Sequence, residues 1–112
     1  MRVNWFVSNP YISISDIHAA CFNFFEKYHR APDTVKMTYT DMSSFITSIP
    51  NQVQTLERGK DYGLFLPVPG GMVELLVLEH EDESVVNATG MKFIVVESTV
   101  VDREFEKHVL KG

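Results

Sequence analysis

The hydrophobic and polar positions change period several times along the chain, and each change marks an element. From Arg2 to Val7 they alternate, with Val3, Trp5 and Val7 on one side, which predicts a first strand ending at Asn9-Pro10. From Ile14 the apolar residues return at steps of three and four: Ile17, Cys21, Phe24 and Tyr28. His18, Phe22, Phe25 and His29 form a second, adjoining stripe. Together they predict a broad amphipathic helix over about Ser15 to Arg30, capped by Ser13 or Ser15 with Asp16 in its first turn. Ala31-Pro32-Asp33 stops it, because a residue before proline avoids helical geometry.

Thr34 to Tyr39 alternates again, with Val35, Met37 and Tyr39 on one face, and predicts a half-buried strand. Thr40 then fits an N-cap, and Met42, Phe45, Ile46 and Ile49 trace a second amphipathic helix up to Pro50. Residues 51–58 read as a further helical turn or two before Gly59. Tyr62 to Val68, Pro69-Gly70-Gly71 and Met72 to Glu79 predict a β-hairpin, with Pro67 and Pro69 demanding an edge or an irregular turn. An acidic loop follows, and Met91 to Ser98 is a strongly apolar strand. From Thr99 the reading is a strand entering a short C-terminal helix carried by Val101, Phe105 and Val109.

The order β-α-β-α-ββ-β predicts a single α+β domain over residues 1–112. Its expected form is a mixed or mostly antiparallel sheet of about five strands, with two main helices packed on one face. The 112-residue length suits one core, and 45% hydrophobic with 22% charged residues is an ordinary globular balance. The single cysteine, Cys21, excludes an intrachain disulfide and fits a buried thiol acting as a small hydrophobe. The first residues show no secretory signal and no stretch is long enough to cross a bilayer, so the expectation is a cytoplasmic protein.

Net charge is −5 and lies wholly in the second half: residues 1–56 hold four acids and four bases, residues 57–112 eleven acids and six bases. Such a surface repels phosphate, which argues against direct nucleic-acid binding. Catalytic and metal chemistry find no anchor in the sequence. His18 and His29 share a helix face but stand roughly 16 Å apart along its axis, too far to share an ion. The run Glu79, Glu81, Asp82, Glu83 lacks the ligand pattern of a calcium loop and reads as a solvated loop. Gly70-Gly71 is a turn rather than a phosphate cradle, and Glu104 with His108 reads as an exposed helix pair. No catalytic residue, cofactor or metal ligand is therefore assigned.

The aromatic residues point elsewhere. Phe22, Phe24, Phe25 and Tyr28 cannot all enter one small core from one helix, so the second stripe is a candidate surface for a partner or for another copy of the chain. Phe22, Phe25 and His29, with the acidic Glu79, Glu81, Asp82 and Glu83, are the candidate interaction residues.

The segment Arg30-Ala31-Pro32-Asp33-Thr34-Val35-Lys36-Met37-Thr38, followed by Thr40-Asp41-Met42-Ser43-Ser44-Phe45, resembles a stretch of tailed-phage structural proteins of the major-capsid type. There a helix leads through a Pro-Asp turn into an apolar strand and a capped helix. The resemblance covers about residues 15–50, roughly a third of a chain much shorter than such a subunit. It implies a small phage or mobile-element protein acting in the host cytoplasm. The expected function is a non-enzymatic protein-interaction or assembly module that binds a protein partner or self-associates into a homo-oligomer. The alternatives are an acidic inhibitor occupying a basic nucleic-acid-binding surface of a host protein, and a small ligand-binding domain or enzyme using His18, His29 or His80.

Overall fold

The computed structural model describes residues 1–58, 61–79 and 92–98. Eight elements follow in order: β1 (Arg2–Val7), α1 (Ile14–Tyr28), β2 (Thr34–Met37), α2 (Tyr39–Ser48), β3 (Gln54–Arg58), β4 (Asp61–Val68), β5 (Gly71–Val77) and β6 (Lys92–Glu97). The strands form one sheet in the order β1-β6-β2-β5-β4-β3. Only β2 and β5 pair in parallel; β1–β6, β2–β6, β4–β5 and β3–β4 are antiparallel. The α+β class and the mixed sheet agree with the sequence, but among the described residues the sheet already has six strands rather than about five. The sixth is β3, in the segment whose pattern suggested more helix.

This topology explains why both helices lie on the same side. β1, β2 and β3 run in the same direction, and α1 and α2 connect them in steps that advance one way across the sheet. Two right-handed crossovers in one direction place both helices on one face. The core confirms the arrangement: Ile17, Ala20, Cys21 and Phe24 of α1 and Met42 and Phe45 of α2 share a cluster with Val3, Val35, Leu66, Val73, Ile94 and Val96. Phe24 and Ile17 are fully buried, and removing such side chains from water stabilises by roughly 1.5–3 kcal/mol each.

Local chemistry sets the helix ends. Ser13 closes a capping box on α1: its hydroxyl accepts from the Asp16 amide at 3.3 Å, and the Asp16 carboxylate accepts from the Ser13 amide at 2.8 Å. At the other end His29 takes a left-handed conformation, φ 56°, and its amide donates to the Phe25 carbonyl. The cap of α2 is Thr38 rather than Thr40, with its hydroxyl accepting from the Asp41 amide at 3.2 Å. Tyr39 therefore starts the helix instead of ending the strand, and it is 71% exposed.

The prolines of the hairpin are placed where they cost little. Pro67 lies past the end of β3, which reaches along β4 only as far as Phe65, so no β3 ladder bond is lost there. Pro69 and Gly70 form the turn between Val68 and Gly71, and Gly70 supplies the positive φ, 91°, that a type II turn requires at that position. β6 is buried on both faces: Ile94 and Val96 face the helices, while Phe93 and Val95 form a second cluster with Leu78. On that second face Glu97 pairs with Lys36 at 3.2 Å and Arg2 at 3.8 Å. The predicted strand and helix beyond Thr99 lie outside the described residues.

Candidate functional site

Helix α1 buries one stripe and leaves the other in solvent. Ile17, Cys21 and Phe24 point into the core, whereas Phe22 and Phe25 are 63% and 50% exposed. His18, Phe22, Phe25 and His29 follow one another at steps of four, three and four, which keeps them on one flank of the helix. The aromatic surplus read from the sequence is thus a physical feature of the surface, and it has a shape.

Between this flank and the rest of the fold lies a cavity of about 350 Å³. One wall is His18, Cys21, Phe22 and Phe25; the opposite wall is Ala31 and Pro32 from the loop before β2, with Pro69 and Gly70 from the β4–β5 turn. Two turns that the chain needs for topological reasons therefore close an otherwise open helix flank. The volume falls in the range of ordinary ligand or side-chain pockets, and the walls are almost wholly apolar. A shallower depression continues over Phe22, Phe25, Glu26 and His29.

Polar chemistry in the cavity is sparse. The Nε2 atom of His18 is buried and has no hydrogen-bond partner. Burial pushes the Cys21 thiol up to about 11, so at neutral pH it stays protonated and is not a nucleophile. His29 lies at the exposed end of α1 and does not converge with His18. Among the described residues no group of three or more His, Cys, Asp or Glu side chains is placed to hold a metal ion.

A second cavity of about 270 Å³ has a different character. It lies between the Pro10–Ile12 loop and α2, and its lining includes Thr40, Asp41, Ser44, Ser48 and Lys92. Asp41 is 8% exposed, and its carboxylate receives the Lys92 ammonium in a direct ion pair that ties α2 to β6. Because Lys92 already neutralises this carboxylate, the pair accounts for itself as a structural tie.

Of the residues singled out by sequence, Phe22, Phe25 and His29 share the α1 flank. Glu79 is exposed beyond β5, away from that flank in the chain, while Glu81, Asp82, Glu83 and His80 lie outside the described residues. Pro32, Pro69 and Gly70 were missed as part of a site, because only tertiary contact brings them opposite α1. Among the described residues no helix is long and apolar enough to cross a membrane. No protein-family model, curated protein or solved structure matches the chain.

Proposed function

We propose that this domain is a protein-interaction module whose docking surface is the outer flank of α1, with the cavity beside it receiving one large apolar side chain of a partner protein. The observation that carries the reading is the pairing of exposed Phe22 and Phe25 with an apolar cavity closed by Pro32 and Pro69. Interface energy concentrates where an aromatic or aliphatic anchor enters a desolvated pocket ringed by weaker contacts. Here the phenyl rings and prolines supply the pocket, and His29 and Glu26 supply a polar rim. The charge excess elsewhere in the chain favours no phosphate-bearing partner. An assembly role in a phage or mobile element is the specific form supported by the resemblance around Arg30 to Phe45.

The test is capture from the native host with three baits: the unaltered domain, Phe25→Ser and Tyr39→Ser. Tyr39 is at least as exposed but belongs to α2, so it controls for loss of any surface aromatic ring. A partner retained by the first and third baits and lost with Phe25→Ser supports the reading. Identical capture by all three counts against it.

A further inference from the structure

We propose that the outer edge of β1 pairs antiparallel with β1 of a second copy of this chain, about a two-fold axis at Trp5. This surface is separate from the α1 cavity, and the proposal stands independently of the docking reading. In the β1–β6 register Arg2 faces Glu97 and Val3 faces Val96, and the Ser98 amide donates to the Met1 carbonyl. In an antiparallel pair bonded and non-bonded positions alternate, so Met1, Val3, Trp5 and Val7 turn their backbone groups towards β6. Arg2, Asn4 and Phe6 turn theirs outward. The outward Arg2 carbonyl already accepts from the Tyr28 hydroxyl at 3.1 Å. No described strand pairs with the outward amides and carbonyls of Asn4 and Phe6.

One register uses those groups and leaves the Tyr28 cap in place. With Trp5 opposite Trp5 of the second copy, the amide and carbonyl of Asn4 bond those of Phe6 across the seam, and symmetry repeats the exchange. Val3 then stands opposite Val7 on the helix-covered face. The edge itself carries no proline, and Arg2 is its one charge, so among the described residues it lacks the usual devices that keep exposed edges apart.

The helices fit the same axis. Helix α1 packs on β1 and β6, so an axis midway between them stands half a strand spacing inside the edge. Two such helices across the seam are two spacings apart, about 10 Å, which is a normal distance for packed helices. Tyr28 reaches Arg2, and Trp5 lies about 10 Å further along the strand at ~3.3 Å per residue. That corresponds to between six and seven helical residues at ~1.5 Å each, so the axis crosses α1 near Cys21 and Phe22. The flank of α1 opposite the cavity carries Asp16, Ala19, Asn23 and Lys27. Around that crossing point antiparallel helices bring Asp16 opposite Lys27 of the second copy and Ala19 opposite Asn23. The charges are complementary and the central residues small enough for close approach.

Sedimentation equilibrium tests the proposal with the unaltered chain, Asn4→Pro and Lys27→Glu. Association from one 12.8 kDa chain to two with rising concentration is expected for the unaltered protein. Asn4→Pro removes an outward amide and leaves the β1–β6 ladder intact, so it should remain monomeric with unchanged circular dichroism. Should that variant fail to fold, Lys27→Glu serves: it faces Asp16 across the seam and should weaken association several-fold at low salt, less at high salt. An equimolar mixture of Asn4→Cys and Phe6→Cys should form a mixed disulfide faster than either alone, since bonded antiparallel pairs place Cα atoms about 5.5 Å apart. A monomer at millimolar concentration, unweakened association of the folded variants, or equal cross-linking by Asn4→Cys alone overturns the proposal.

Discussion

The hydroxyl of Tyr28 donates to the main-chain carbonyl of Arg2 at 3.1 Å, fastening the last turn of α1 to the outer edge of the sheet. The ring also packs on Phe24, with centroids 4.8 Å apart, so the side chain joins edge, helix and core. Tyr28→Phe keeps the ring and removes only the hydroxyl. The expected cost is about 0.5–1 kcal/mol, the low end for a hydrogen bond because the site is exposed. Urea unfolding should show a lower midpoint with an unchanged slope.

Ser13→Ala should destabilise the domain by about 1 kcal/mol. It removes the hydroxyl that accepts from the Asp16 amide and donates to the Asp16 carboxylate at 2.9 Å, leaving the first turn of α1 short of a partner. Ser15→Ala, two residues further on in the same first turn but outside the capping pair, should cost a few tenths of that. Equal losses from the two variants would show that the box carries no special weight.

The Asp41–Lys92 pair should show strong coupling in a double-mutant cycle. Lys92→Met leaves a nearly buried carboxylate without its cation, and the expected loss is about 1–3 kcal/mol, reduced from a fully buried pair because the lysine side chain is 36% exposed. Asp41→Asn with Lys92→Met together should cost less than the two single losses added. Strict additivity would mean that the ion pair contributes nothing beyond its separate groups.

Cys21 predicts both a reactivity and a pH dependence. The native thiol, held up at about 11 by burial, should resist thiol reagents at pH 8 until the domain unfolds. In the unfolded chain the thiol ionises near its usual value of 9.0, so the unfolded state loses its proton first. Stability contributed by this group is therefore level below about pH 9 and falls as the pH rises towards 11, by roughly 2–3 kcal/mol across the window. Cys21→Ala should abolish that component, and the difference between the two stability curves isolates it from other alkaline titrations.

How much of this was legible beforehand depended on whether the signal was local. The α1 stripe could be read because Ile17, Cys21 and Phe24 recur at helical steps, and the surplus of Phe22 and Phe25 was visible for the same reason. The α2 cap was misplaced because Thr38 and Thr40 both suit a cap, and the choice turns on where β2 must end to stay paired with β5. β3 was read as helix because Gln54, Thr55, Glu57 and Arg58 carry little apolar pattern; its strand character comes from pairing with β4. Lys92 and Asp41 are far apart in sequence, so nothing local announced their pair. The far wall of the α1 cavity was hidden likewise, since Pro32 and Pro69 look like ordinary turn residues until the sheet brings them together.

The most direct measurement is the affinity of the captured partner for the unaltered domain and for Phe22→Ala with Phe25→Ala, determined by calorimetry at equal fold stability. If the α1 flank is the docking surface, the double variant binds at least tenfold more weakly, a loss of about 1.4 kcal/mol or more, while Tyr39→Ala is unchanged. Equal affinity of the double variant and the unaltered domain would contradict the account.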